Sequence, residues 1–534
     1  MARSSTRHRL ILIAAVLSVV LVSVGAGTAV ASTAPASTAP ATGPRAVDIT
    51  AADGVVLKAH VFEPGTPGRH PAIVFVNSWG LDDREYLLQA RGLAERGYVV
   101  LSYTTRGFWA SGGRIETAGP LDVADASTAL DWLLAHTSAD PGRLGMAGVS
   151  YGSGICLIAT AFDPRIKAVV AMSTWTDLVA SLYGDQTRRP QAVFLLAALA
   201  NLVGRPSAEL SRVIDDYFAN RNTEQNASFG RLRSAASYVD AINRNHPAIL
   251  LANAYGDSLF PPNQLVDFFG RLTGPKRLEL AAGDHAVVEA AGLVGLPNHA
   301  WTSLDRWFGQ YLAGTDTAIG AEPPVVLRVR NTGAVVTAAD WPSVSVSASR
   351  LGLGAVRWWD GTGPLGGAAT DGWSRTIWTG LDTTAGAGVA LLSNGFEALL
   401  GVPPMVWLPS VDRLRAGVWV GQPLPSGARV RGIVRLHLAL RPASANGTVV
   451  AYLYDLDGTG TGVLVTHAPA TWLDAEPGAP LTLDVALSAM AYDVPAGHRL
   501  ALVVDTADPL YLDANRSGAA VTFTGPSWLD VPTA

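Results

Sequence analysis

Cysteine is all but absent. Cys156 is the only one in 534 residues, so neither an intrachain disulfide nor a Cys-x-x-Cys metal or redox site can form. Charge is scarce too: Asp, Glu, Lys and Arg make up 16% of the chain, with a formal balance of -5 and no long basic run beyond the N-terminus. That excludes nucleic acid as the main partner. No Gly-Lys-Ser/Thr loop offers a phosphate cradle and no His/Cys cluster has zinc spacing, so neither a metal nor a cofactor is expected. What the chain does hold is apolar mass, at 49% of residues, over a length that calls for two or three domains with large buried cores.

Arg3, Arg7 and Arg9 precede an uncharged, largely apolar run from Leu10 to Val24, and Ala29-Val30-Ala31 supplies small residues where a signal peptidase cuts. This predicts a secretory signal peptide over 1–31, and no Arg-Arg pair precedes the run, which favours the general secretory route. An uncut signal acting as an anchor is the alternative. With Cys156 far from the cleavage site, an N-terminal lipid anchor is excluded. The expected location is outside the cell or in its envelope, with no stable membrane partner once the signal is removed. Residues 32–45, rich in Ser, Thr, Ala and Pro, read as a flexible leader.

From residue 46 strands alternate with helices, the pattern of a parallel sheet flanked by helices. Val47–Thr50 and Val55–Phe62 straddle Asp53-Gly54 as an opening hairpin. Ala72–Val76, Tyr98–Tyr103, Leu144–Val149, Ile166–Met172, Ala248–Ala254 and Arg277–Ala281 read as strands. Leu87–Arg96, Leu121–Leu134 and Trp301–Leu312 read as helices. Between about 176 and 240 there are helical pieces (Ala192–Leu202, Leu210–Phe218) but no strand, which predicts a helical cap at the carboxyl edge of the sheet. Beyond 322, short runs such as Val325–Val329, Val430–Leu440, Thr448–Tyr454, Leu481–Leu487 and Leu500–Val504 alternate with Gly/Pro/Asp turns, predicting a β-sandwich or jelly roll over 322–534.

Gly148-Val149-Ser150-Tyr151-Gly152 lies between two apolar runs and reads as strand, sharp turn, helix. Glycines two residues to either side of a serine let the chain reverse tightly and lift the hydroxyl clear of the backbone, as a nucleophile requires. That hydroxyl needs a base, and the base an orienting acid. Asp257 follows Ile249–Gly256 and His285 follows Leu278–Asp284. Each thus sits on a glycine-containing turn after a late strand, in the order nucleophile, acid, base. Asp284 and Asp240 are fallback acids and His299 a fallback base. The oxyanion would be held by the main-chain N–H of Tyr151 and by Trp79, through its main-chain or indole N–H. Trp175, Tyr183, Phe108 and Trp109 are candidate pocket walls. Asp177, Asp185, Glu209, Asp215 and Asp216 are candidate carboxylates for a substrate amine. Asp455–Gly460 reads as a hairpin turn in preference to a calcium loop, since it lacks the later Glu and the regular ligand spacing. Cys156 falls on the helix behind the nucleophile, as a small buried apolar residue.

The Gly-x-Ser-Tyr-Gly turn, Arg106-Gly107 followed by Ser111-Gly112-Gly113, Asp131-Trp132, Tyr255-Gly256-Asp257 and the tail segment Val494–Leu500 together resemble the X-prolyl dipeptidyl peptidases. They also resemble the relatives of that family, the cocaine-esterase-like hydrolases and α-amino acid ester hydrolases. The resemblance covers the chain after the leader. It implies an α/β-hydrolase core over 46–321 with a helical cap, followed by an all-β jelly roll. It also implies a serine hydrolase acting on a small peptide or ester, first of all a peptide with an X-Pro amino end. Relatives often place a tyrosine hydroxyl as second oxyanion donor in the loop after the third strand; here that loop reads Asn77-Ser78-Trp79-Gly80, with no tyrosine. Within the same chemistry a carboxylic ester hydrolase or amino acid ester acylase is the alternative. A polymer-binding protein with a vestigial hydrolase domain is the rival from another class.

Overall fold

The computed structural model describes residues 42–534, so the predicted signal peptide and the leader up to residue 41 lie outside the described residues. Ten strands form the central sheet: β1 (Thr42–Thr50), β2 (Val56–Glu63), β3 (His70–Val76), β4 (Val99–Tyr103), β5 (Ala139–Val149), β6 (Ile166–Met172), β7 (Ala248–Ala254), β8 (Lys276–Ala281), β9 (Val325–Arg328) and β10 (Val335–Ala338). Their order is β1-β2-β4-β3-β5-β6-β7-β8-β9-β10. From β4 through β9 neighbours run parallel, while the outer pairs are antiparallel. Every residue of β3 and β7 is buried, as expected of strands covered on both faces.

Side-chain alternation along β3 shows the two layers. Val74 and Val76 join one core with Leu130, Ile155 and Leu265 from the helices Pro120–His136, Tyr151–Phe162 and Asn263–Arg271. Ile73 and Phe75 point the other way, to Leu93, Trp301, Leu304 and Trp307 from the helices Leu87–Glu95 and His299–Phe308. Cys156 is fully buried on the first of these layers.

Two boundaries differ from expectation. Residues 42–45, leader-like in composition, already form the start of β1, where backbone pairing with β2 orders a segment too poor in large side chains to declare itself. Val325–Arg328, expected in the sandwich, instead extends the central sheet parallel to β8, with β10 pairing beyond it. A short apolar run has the same appearance in either setting, and only its partner strand tells them apart.

Between β6 and β7 the chain leaves the sheet for the helices Leu178–Tyr183, Pro190–Val203, Ala208–Ala219, Thr223–Leu232 and Val239–Asn245. They stand where the cap was expected. The C-terminal region folds into one seven-stranded and one six-stranded sheet, and its last strand, Ala520–Thr533, pairs with Ser347–Gly352, Ser374–Trp378 and Arg435–Pro442. Asp455–Gly460 lies at the turn between Gly447–Leu456 and Thr461–Trp472, where the Asp457 carboxylate accepts from the N–H groups of Thr459 and Thr461. The β-domain grips the cap. Gln191 donates to the Pro509 carbonyl at 2.8 Å and accepts from the Ala390 N–H at 3.0 Å, while the Thr187 and Thr471 hydroxyls meet at 2.7 Å.

Candidate active site

β5 delivers the chain to Ser150, whose φ of 55° and ψ of -116° lie in a region that L-residues rarely adopt. The turn is held from several sides: the Ser150 N–H donates to the Met172 carbonyl at 2.8 Å, and the Ser153 hydroxyl donates back to the Ser150 carbonyl. Glycine is required around it. A Cβ on Gly152 would sit 1.9 Å from the Val76 carbonyl oxygen, and one on Gly148 would sit 2.8 Å from the Gly152 carbonyl carbon.

Opposite the serine, His285 presents Nε2 at 2.7 Å from Ser150 Oγ and Nδ1 at 2.9 Å from Asp257 Oδ2. Asp257 is aimed by its own loop, because its Oδ1 accepts from the N–H groups of Leu259 and Phe260 at 2.9 and 2.7 Å. Burial by itself would lower the affinity of the imidazole for a proton. The Asp257 carboxylate, aided by Asp284 and Glu289, outweighs it and raises the His285 pKa above the ordinary histidine value.

The fallback residues have other work. Asp284, pushed up to about 6 by burial and by the nearby Asp257, accepts from the Ser258 N–H, the Ser258 hydroxyl and the His285 N–H. It ties the acid loop to the base loop. Asp240 is exposed on the Val239–Asn245 helix, and His299 begins the His299–Phe308 helix, where burial lowers it to about 4.

The indole of Trp79 does not point at an oxyanion. Its N–H donates to the Leu196 carbonyl at 2.9 Å, which leaves only the main-chain N–H of this residue for that purpose. The ring packs edge-on against Tyr151, with centroids 5.0 Å apart. The Tyr151 hydroxyl in turn donates to Asp122 at 2.7 Å, while its main-chain N–H belongs to the first helical turn, where no intrahelical acceptor exists.

A cavity of about 1070 Å³, solvent at its mouth included, opens from Ser150 beneath the cap. Trp175 and Tyr183 line it as expected, and Trp175 is fixed by its indole N–H donating to the Arg233 carbonyl at 2.7 Å. Gly154 makes room for that ring, since a Cβ there would fall 2.5 Å from it. Phe108 and Trp109 are not on the wall. Phe108 is fully buried behind Trp79, and Trp109 is 45% exposed with its indole N–H bonded to the Gly80 carbonyl.

Of the carboxylates considered for a substrate amine, Asp216 alone lines the cavity. It is already engaged by the Asn222 amide at 2.9 Å and by Arg212 and Arg221 at 3.0 and 3.4 Å. Asp177 caps the Leu178–Tyr183 helix, Glu209 faces Arg233 at 3.5 Å, and Asp185 and Asp215 are exposed away from the wall.

Two contributors are invisible to local sequence patterns. Phe260 lines the cavity and stands edge-on to His285, with centroids 4.9 Å apart. Asn394, on the β-domain helix Ser393–Leu400, donates to the Gly256 carbonyl at 3.0 Å, just before the acid. A Cβ on Gly256 would strike that amide at 2.5 Å, so the Tyr255-Gly256-Asp257 sequence is shaped to receive a side chain more than a hundred residues away.

A doubly covered parallel sheet, a serine at a strained strand-to-helix turn and a histidine within hydrogen-bond reach place the protein among the serine hydrolases of α/β-hydrolase fold. Residues 53–287 match the family model described as X-Pro dipeptidyl-peptidase (S15 family), and residues 317–527 match the X-Pro dipeptidyl-peptidase C-terminal non-catalytic domain. The chain belongs to this family. Its fold is similar to that of an α-amino acid ester hydrolase (TM-score 0.69, 16% identity, 92% of this chain and 96% of that one). It is also similar to a CocE/NonD family hydrolase from Staphylococcus aureus (TM-score 0.67, 13% identity, 92% and 93%). At 30% identity over 162 residues the chain is similar to the uncharacterized protein PA2218 of Pseudomonas aeruginosa, spanning 29% of this chain and 44% of that protein's length.

Proposed function

We propose that this serine hydrolase works through an acyl-enzyme on Ser150, with His285 as proton carrier and Asp257 as the group that orients it, and that it cleaves carboxylic esters. The contact that carries the first part is Ser150 Oγ to His285 Nε2 at 2.7 Å, continued from Nδ1 to Asp257 at 2.9 Å. Ser150 Oγ attacks the ester carbonyl as its proton passes to Nε2. The tetrahedral oxyanion is received by the main-chain N–H groups of Tyr151 and Trp79, and His285 returns the proton to the departing alcohol. Water, deprotonated by the same imidazole, then releases the acid and regenerates Ser150.

An X-Pro peptide is the other substrate that family membership offers. Recognising its free amino end takes an available carboxylate, and the cavity supports this poorly: its charged lining is Arg188, Arg221 and the already paired Asp216. With its one carboxylate tied to Arg212 and Arg221, the wall offers an ammonium group no free counter-charge. Secretion is proposed on the N-terminal sequence, which lies outside the described residues.

The experiment is fluorophosphonate labelling of the wild type beside Ser150→Ala, followed by rates on an aryl ester and on a Gly-Pro anilide. Labelling confined to the wild type and turnover of the ester alone are expected. Wild type that resists the probe would leave the polymer-binding rival standing, and preferential cleavage of the anilide would replace ester by peptide.

A further inference from the structure

The cavity beneath the cap extends beyond Ser150 onto side chains of the cap helices. Its floor is buried: Ser150, Tyr151, Trp175 and Phe260. From there the wall continues as apolar side chains of cap helices, among them Leu178, Leu196, Leu210 and Ile214. Among its polar side chains Asn220, Arg221 and Thr223 are exposed to solvent, while Asp216 and Asn226 are not. A corridor with a largely apolar wall that reaches the reacting atom suits a long apolar chain attached to a carbonyl.

The side of the ester that enters follows from His285. The leaving alcohol must stay within reach of Nε2 to collect its proton, while Ser150 and the oxyanion donor Tyr151 line the cavity, so the acyl part is the group assigned to the corridor. Arg188 and Arg221 lie in the lining with Asp216, which pairs with Arg221 at 3.4 Å, so a cationic chain end meets no free carboxylate.

Resting on the ester-hydrolase reading above, we propose that the cavity is an acyl-chain site and that the substrates are esters of extended aliphatic acids. Burying each added methylene raises kcat/KM about fourfold until the corridor is full.

The test uses the purified protein and p-nitrophenyl acetate, butyrate, octanoate and laurate, which share one leaving group. Alongside it runs a second series of acetates with lengthening alcohols. A rise of about fourfold per methylene, roughly four thousandfold over the six that separate acetate from octanoate, with little change along the alcohol series, is expected. Ala197→Trp and Val213→Trp, placed on different cap helices, each narrow the corridor and are expected to lower the octanoate-to-acetate ratio at least tenfold. Because the ratio is read within one preparation, partial misfolding cancels. Rates flat along the acyl series, or a rise confined to the alcohol series, overturn the acyl-chain site while labelling of Ser150 and acetate turnover still uphold the hydrolase. Absence of labelling brings down both.

Discussion

Replacing Gly152 by alanine probes how tightly the serine turn is locked to the sheet. The added Cβ would meet the Val76 carbonyl oxygen at 1.9 Å and its carbonyl carbon at 2.6 Å, where ordinary contact begins at 3.4 Å. Both atoms are main chain, so no rotamer change relieves the clash. Either the Tyr151–Phe162 helix or the end of β3 must move by more than an ångström, and both position Ser150 and the Asn77–Gly80 loop. Overpacking of this kind costs about 1–3 kcal/mol. A misplacement on the order of 1 Å at the reacting atoms costs roughly a hundredfold in rate. Urea unfolding should show a lower midpoint with unchanged slope, and kcat on an aryl ester should fall by about that factor. Gly270 is the control: it lies in the Asn263–Arg271 helix, where an added methyl would have nothing within 4 Å, so Gly270→Ala should be neutral or stabilising by roughly 0.5–1 kcal/mol. A Gly152→Ala enzyme with wild-type kcat and midpoint would refute the reasoning.

Four further outcomes are expected. His285 must be neutral to accept the Ser150 proton, and its pKa is raised, so kcat/KM should fall as pH drops through a value above the ordinary 6.5. Asp257→Asn removes the main raising influence and should move that limb down while lowering kcat by roughly four orders of magnitude; an unmoved limb would contradict the assignment. Asn394→Ala should lower kcat about tenfold to a hundredfold by loosening the acid loop, with KM for a short ester unchanged, and Asn394→Gln should not restore it; wild-type kcat in both variants would show that the β-domain does not brace the site. Cys156 is fully buried with its thiol pushed up by desolvation, so a thiol reagent should leave the native protein unlabelled and modify one site after denaturation.

Much of this molecule can be read from its sequence because the relevant signals are local. Ala72–Val76 and Ala248–Ala254 are apolar almost without interruption since both faces are covered, and a serine flanked by glycines at i−2 and i+2 announces a tight turn. The acid and base fall on glycine turns after strands, so their order can be read even though they meet only in three dimensions. What could not be read depends on partners distant in the chain. Trp79 carries two possible donors, and only the approach of Leu196 from the cap reveals that the indole N–H is taken. Phe108 and Trp109 are adjacent aromatics with opposite fates, one sealed behind Trp79 and one turned outward by a positive φ of 46°. Val325–Arg328 carries no mark that its neighbour is β8, and nothing near Asn394 points to Gly256.

Acylation of Ser150 by way of His285 is the central step of the proposed mechanism. Mass spectrometry of the protein quenched during turnover of a slowly deacylated aryl ester tests this directly. An acyl adduct on the peptide containing Ser150, absent in Ser150→Ala and strongly reduced in His285→Ala, is the expected result; an adduct on another residue, or turnover that persists in Ser150→Ala, would contradict it.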